Sequence, residues 1–354
     1  MGRTKIAVIG AGSIAQIGHL PYYRDHPDVD LVAVVDVNLE RAQQVAAKFG
    51  APNAYADAKE MFQREKPDAV SICTTNSTHV PLAMLAIEQG ADVLVEKPLA
   101  IESSEAWRLV EAARASDRIC MVGMTHRYRN EADAVKRYVD AGELGDIYYA
   151  KAKILRRRGT PTGWFTDKSK SGGGPLMDIG VHVLDLAWWL LGQPTAKRIS
   201  GQLVQGVGRY DTVASRWKSA DEQNQDNSVF DVEDFASAYI RFENNLVLQL
   251  EVSWAVNGPQ DDALKVDLFG TKAGISIDPL TFYSERNQIM LESNMTTVKN
   301  DPYKDEINHF VDCIARHVQP LSPVEQGARV VEMLQGIVRS SELQREIELN
   351  GKLS

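Results

Sequence analysis

Over residues 1–123, short apolar runs alternate with helical segments, and that alternation narrows the possible folds more than any other feature. The runs at 5–9, 31–35, 69–73, 92–95 and 119–122 are rich in β-branched residues and do not alternate with polar ones. Strands buried on both faces read this way. Between them, 39–49, 81–88 and 104–115 carry helical patterns that close near turn residues, as at Phe49-Gly50 and Gln89-Gly90. Strands alternating with helices predict a parallel sheet with helices on both faces.

The pattern changes after Gly123. Residues 131–141 read as a helix, 147–155 as a strand, and 177–191 as a helix behind a Gly/Ser/Lys-rich segment at 168–174. Longer strands follow at 235–242, 246–254 and 264–270, and Gly270-Thr271-Lys272-Ala273-Gly274 reads as a hairpin turn into 275–277. Two helices, 304–316 and 324–346, close the chain. The predicted class is α/β. A domain built on that parallel sheet spans 1–123, and a second domain with helices around a largely antiparallel sheet spans 124–354. The polar stretch 209–231 reads as a surface loop, with an oligomer arm or a substrate lid as alternatives.

Directly after the first strand comes Gly10-Ala11-Gly12-Ser13-Ile14-Ala15. In a G-x-G-x-x-A turn the first glycine permits the bend and the second lets backbone approach a pyrophosphate. Alone this is a weak signal. Its context strengthens it, because Asp36 ends the second strand, 21 residues beyond Ala15. A carboxylate there accepts hydrogen bonds from an adenosine ribose diol and repels a 2′-phosphate, so NAD is expected ahead of NADP, although Arg41 is near. Thr74-Thr75-Asn76-Ser77-Thr78-His79 follows a later strand, at the end where parallel sheets bind ligand. There Asn76 and His79 either line the cofactor or simply start and cap the next helix. The expected cofactor contacts are Gly10, Gly12, Ser13, Ile14, Asp36, Thr74, Asn76, His79, Glu96 and Lys97.

Glu96-Lys97-Pro98 closes the run 92–95. A lysine at a strand's carboxyl end, stiffened by proline, gives a cation of defined direction that can stabilise alkoxide-like charge. Asp178 and His182 are four residues apart and share a helix face behind Gly172-Gly173-Gly174-Pro175. The glycines let that loop fold closely against a ligand. A lysine, a carboxylate and an imidazole are the groups needed to move a proton on and off a secondary alcohol. Catalysis is therefore expected from Lys97, Asp178 and His182. Arg127 and Trp164 are expected to join them in binding substrate, Trp164 by stacking on a ring. Arg156-Arg157-Arg158 reaches an anionic or polyhydroxylated ligand or is a solvated strand end. A metal on Asp178, His182 and Asp185 is the weaker use of those residues, and none is expected. Trp188 and Trp189 read as core or interface.

Composition excludes other classes. A net charge of −9 argues against nucleic acid, whose phosphates demand a basic surface. Three cysteines without C-x-x-C spacing suggest neither a disulfide framework nor a zinc site. No apolar run approaches a membrane span, and residues 6–9 are too short for a signal peptide's core. A cytoplasmic enzyme is expected.

The glycine turn, the 74–79 segment, Glu96-Lys97-Pro98, and the run from Gly172 through Asp178 to His182 together resemble the glucose–fructose oxidoreductase / inositol dehydrogenase / rhizopine-catabolism family. The resemblance covers essentially the whole chain, including Val232-Glu233-Asp234-Phe235. It implies NAD(P)-dependent oxidation or reduction of sugars, inositols and related polyols. It also implies an N-terminal Rossmann dinucleotide-binding domain over 1–123, a C-terminal α/β domain whose open, largely antiparallel sheet often builds dimers or tetramers, and Lys97, Asp178 and His182 in the catalytic positions. The expected function is hydride transfer between a secondary hydroxyl of a cyclic polyol or sugar and a nicotinamide. One rival is a redox-neutral, NAD-dependent glycosidase or sugar-modifying enzyme with tightly held cofactor. Another is a non-catalytic nucleotide-dependent regulator.

Overall fold

The computed structural model describes residues 2–208, 229–259 and 261–349. Two compact units emerge from the contacts, each with its own sheet.

The first unit holds six strands: β1 (Thr4–Ile9), β2 (Val29–Val35), β3 (Asn53–Tyr55), β4 (Ala69–Ile72), β5 (Asp92–Glu96) and β6 (Cys120–Gly123). Their order is β3-β2-β1-β4-β5-β6, and every pairing is parallel. The order reverses between β1 and β4, the switch point at which such sheets bind ligand beyond the strands' carboxyl ends. Five helices connect the strands: α1 (Leu20–Asp25), α2 (Leu39–Phe49), α3 (Ala58–Glu65), α4 (His79–Glu88) and α5 (Ser103–Ser116). Asn38 and Asp57 cap α2 and α3 by accepting from the backbone N–H three residues on. β4, β5 and β6 are buried along their whole length, which is why their sequences are continuously apolar rather than alternating.

The second unit carries α6 (Asn130–Asp140), β7 (Ile147–Leu155), the one-turn α7 (Lys168–Ser171), α8 (Val181–Leu190), β8 (Ala196–Val204) and β9 (Phe235–Phe242). β10 (Val247–Ser253), β11 (Asp261–Gly270), β12 (Ala273–Ile277), β13 (Thr281–Arg286) and β14 (Ile289–Asn294) continue it. With β15 (Ile347–Glu348) the sheet runs β14-β13-β12-β11-β7-β10-β9-β8-β15, antiparallel except for β7 with β10. Alternation is clear here. In β10, Leu248, Leu250 and Val252 are fully buried, while Gln249 and Glu251 point to the other face. The apolar alternates of this strand therefore fill the core. The opposite face is made of Tyr149, Lys151, Phe269 and Tyr239, with Lys151 over the Tyr149 and Phe269 rings.

The tail does not stay with the second sheet. Asp301–Val331 belongs by its contacts to the first unit. Tyr22 donates to Asp301 (2.6 Å), Thr125 to buried Glu306 (2.9 Å), and Ser322 to the Val122 carbonyl (2.7 Å). α9 (Pro302–Arg316) thus packs with the first unit, and α10 (Val324–Leu343) starts there, whereas residues from Glu332 on pack with the second. Most of the segment 209–231 lies outside the described residues. Its last residues, Val229 to Asp231, precede β9, and the Asp231 carboxylate accepts from the Lys168 amide.

Candidate functional site

In the first unit, β1 ends at Ile9 and the chain turns at Gly10, whose φ is +98°. A Cβ at this position would lie 2.4 Å from the Cys73 carbonyl oxygen, so no other residue fits. Gly12 is different, because a Cβ there would meet nothing within 4 Å. Nothing in the chain's own packing calls for that glycine, whereas a pyrophosphate lying on the turn does. Asp36 sits where the sequence places it. One carboxylate oxygen accepts from Ala11 N (3.0 Å) and the other from Asn38 N (2.9 Å), with Arg41 3.7 Å away. The acid is thus bonded to the glycine turn itself, and the residues present fit a dinucleotide. Ser13, Ile14 and Thr74 are partly exposed around this turn, and Asn76 is buried.

Lys97 follows β5 and is partly exposed, and the Lys97–Pro98 peptide is cis. Its neighbours are fixed from two sides. Glu96 turns inward, with Oε1 2.8 Å from His19 Nε2 and Oε2 accepting from Lys97 N (3.2 Å). His19 has no exposed surface and also meets Ser71, which bonds the buried Tyr23 hydroxyl. Burial pushes the Glu96 carboxyl up, but the hydrogen bond and charge of His19, with Lys97 beside it, outweigh that and hold it below the usual carboxylate range.

On the other side, His79 Nδ1 lies 2.7 Å from the Pro98 carbonyl, and Nε2 lies 3.2 Å from that of Thr74. Burial lowers the affinity of this ring for a second proton, despite both carbonyls. A side chain with no exposed surface cannot touch a bound dinucleotide, so the expected cofactor contact at His79 is corrected. The ring ties the 74–79 loop to the Lys97-Pro98 segment. Glu96, 5% exposed and bonded to His19, likewise supports Lys97 from within.

In the second unit, Asp178 lies in a wide helical turn, Leu176–Gly180, that leads into α8, and His182 is in the first turn of α8. Both are partly exposed. Asp178 Oδ2 accepts from the indole N–H of Trp254 (3.0 Å), and the His182 ring meets His126 edge-on, centroids 4.8 Å apart. The glycine run ahead of them closes on the chain itself. Glu233 accepts from Gly174 N (2.9 Å) and Leu176 N (3.1 Å), capping this helix start with a carboxylate that burial pushes up and these amides hold down in part. A Cβ at Gly174 would lie 1.9 Å from the Glu233 carbonyl oxygen.

Arg127 is corrected as a substrate contact. Its side chain has no exposed surface, and its guanidinium grips Asp185 in a two-pronged pair (2.8 and 2.5 Å), because a buried cation needs a carboxylate. Asp185 is thereby engaged and Trp189 lies 5.9 Å from the guanidinium. Trp164 is partly exposed and stacks on Phe165, centroids 4.2 Å apart. Arg158 bonds the Val256 carbonyl and Asn257. His19, His126, Glu233 and Trp254 carry no sequence signal of the roles they take here. Each acts through a partner at least 52 residues away in the chain, and no local pattern marks it.

A glycine turn open to a pyrophosphate, with a carboxylate at the end of the next strand, defines a dinucleotide-binding unit. The comparisons place it in a family. Residues 4–124 match the oxidoreductase family with an NAD-binding Rossmann fold, and residues 132–276 match the GFO/IDH/MocA C-terminal domain. The chain belongs to the GFO/IDH/MocA family of oxidoreductases. It is 32% identical to D-glucoside 3-dehydrogenase of Escherichia coli (strain K12) over 355 residues, 98% of this chain and 97% of that one. It is 28% identical to scyllo-inositol 2-dehydrogenase (NAD(+)) of Bacillus subtilis (strain 168), over 90% and 88% of the two chains. A structure of levoglucosan dehydrogenase in complex with NADH superposes with a TM-score of 0.85 over 98% of this chain and 99% of that one. At 22% identity that likeness is one of fold. Among the described residues, no helix is long and apolar enough to cross a membrane.

Proposed function

We propose that this chain is an NAD-dependent dehydrogenase that oxidises a secondary hydroxyl of a cyclic polyol or sugar. The observation that carries this reading is Lys97, braced through Glu96 and Pro98 at the end of a parallel strand, in a unit whose glycine turn stays open at Gly12. The names of the relatives that act on glucosides and inositols support the substrate class. The turn at Gly10, Gly12, Ser13 and Ile14 would hold the pyrophosphate of NAD, Asp36 the adenosine ribose, and Thr74 and Asn76 the region beyond it. When bound, NAD supplies the hydride acceptor. The chain's own residues handle the proton: His182 accepts it from the hydroxyl, Asp178 orients the imidazole, and Lys97 stabilises the developing negative oxygen. Trp164, on its Phe165 support, offers a flat face to a sugar ring.

The same reading takes 1–123, with the 301–331 tail that packs on it, as the cofactor domain and the rest of 124–354 as the domain for substrate and self-association. The aromatic and charged outer face of the second sheet supports a homodimer or homotetramer. The three buried free thiols support work in the cytoplasm.

A panel of inositols, aldoses and glycosides tests the function. Stoichiometric NADH formation is expected with at least one of them, and turnover without net NADH would return the redox-neutral alternative. Lys97→Ala is expected to keep its Tm and its NAD affinity while losing at least about 100-fold in kcat. Activity within a few-fold of wild type would remove Lys97 from the mechanism.

A further inference from the structure

Trp254 is a large side chain with no exposed surface, and its single polar atom is spent on a residue of the proposed proton-handling group. The donor is held rigidly. Trp254 N donates to the Asp234 carbonyl (2.9 Å), and the Trp254 carbonyl accepts from Gly159 N (2.8 Å), so the backbone is clamped on both sides at the end of β10. The acceptor is the opposite case. Asp178 is partly exposed and sits in a wide helical turn rather than in regular α-helix. A short carboxylate side chain in such a turn has several rotamers open to it, and a fixed donor 3.0 Å from Oδ2 selects one.

We propose that Trp254 is a positioning residue for the dehydrogenase reaction. Its indole N–H sets the rotamer of the Asp178 carboxylate. This inference rests on the roles assigned above to Asp178 and His182. It adds that core packing is only part of what Trp254 is for. A phenylalanine in its place would keep an aromatic ring in the core and lose the hydrogen bond.

The test replaces Trp254 in the full chain with benzothienylalanine, a tryptophan isostere in which sulfur stands in place of the N–H. Trp254→Phe serves as a second variant. With the best substrate of the wild type from the panel, kcat should fall at least about tenfold in the isostere, the low end for one hydrogen bond to a charged group. The Kd for NAD should stay at the wild-type value, and Tm should fall by no more than a few degrees. Unchanged kcat in the isostere overturns the proposal. So does a kcat that falls only in proportion to lost folded protein.

A second arm needs no substrate. In protein labelled with [15N-indole]tryptophan, the resonance that disappears in Trp254→Phe belongs to Trp254. It should move upfield in Asp178→Ala, and a resonance blind to that change overturns the proposal by itself. Wild-type activity in Asp178→Ala would instead remove the role of Asp178 from the proposed function, leaving the hydrogen bond itself to be judged by the resonance.

Discussion

The two glycine turns look alike in sequence and differ in what fills them. Both stand at the start of a helical segment, and both lie near residues assigned to the chemistry. At Gly12 an added Cβ would touch nothing, whereas at Gly174 it would collide with the Glu233 carbonyl. The helix start after Gly174 is already capped by the Glu233 carboxylate, while at the turn of Gly12 Asp36 accepts from Ala11 N and Gln16 bonds the Ala11 and Gly12 carbonyls, with nothing in contact where a Cβ would stand. Glycine thus marks a place where backbone must be approached closely. Which molecule approaches, a ligand or the chain itself, is settled by contacts distant in sequence.

Substitutions at the two turns can break this contrast. The largest effect is expected at the filled turn. Gly174→Ala should cost about 3 kcal/mol or more, since the collision is with backbone and cannot be relieved by a rotamer change. Differential scanning calorimetry should show Tm lower by about 6–12 °C. An unchanged Tm would mean that the Glu233 strand moves freely away. Gly12→Ala should do the reverse, folding with an unchanged Tm while its Kd for NAD rises at least about tenfold, because the new methyl occupies the approach of the pyrophosphate. Titration calorimetry with NAD measures this, and wild-type affinity would remove the open turn from the cofactor site.

Smaller changes sharpen the contrast. Glu233→Gln places an amide NH2 against one of two backbone donors and should cost about 1–2 kcal/mol. The loss should appear in thermal unfolding and leave the Kd for NAD untouched. A variant that bound NAD less tightly would tie the closed turn to cofactor binding after all.

The mildest effect is one of pH. Burial holds the His79 ring below its ordinary value of 6.5 in the folded chain, against the pull of the Pro98 and Thr74 carbonyls. As pH falls, the unfolded chain takes up this proton first, so acid favours unfolding. The stability involved is whole above about pH 6.5 and declines as pH falls through that value toward the folded one. Tm measured from about pH 8 to pH 5.5 should slope less in His79→Gln than in wild type. Parallel slopes would assign the acid sensitivity elsewhere.

The parts of the fold legible in the sequence were those whose burial repeats with a period. β4, β5 and β6 were readable because strands buried on both faces are continuously apolar, and β9 because Ala236, Ala238, Ile240 and Phe242 alternate with outward residues. β3 is three residues long, and β14 is exposed throughout, so neither leaves such a trace. β8 carries Lys197, Arg198 and Gly201 among its nine residues, and its apolar positions are too few to stand out. The sites divided similarly. Gly10, Asp36, Lys97, Asp178 and His182 stood out because local spacing marks them. The residues that hold them do not, since nothing near His19 announces Glu96, and nothing near Glu233 announces Gly174. Arg127 misled because it directly follows a nucleotide-unit strand, while its partner Asp185 is 58 residues away.

The return of the tail to the first unit fixes a timetable for synthesis. β6 is met by the 321–323 segment, through the Met121–Pro323 bridge and the Ser322 bond to Val122, and Gly18 packs on Tyr303. A ribosome that has delivered all six strands of the first sheet has still not delivered the 321–323 segment that meets β6 or the helix α9 that packs with α1. The dinucleotide unit, whose strands precede the second sheet in the chain, therefore waits in an incomplete state while most of that sheet is made. Until Asp301–Val331 has emerged, a nascent chain has an uncovered first-unit surface for chaperones to shield.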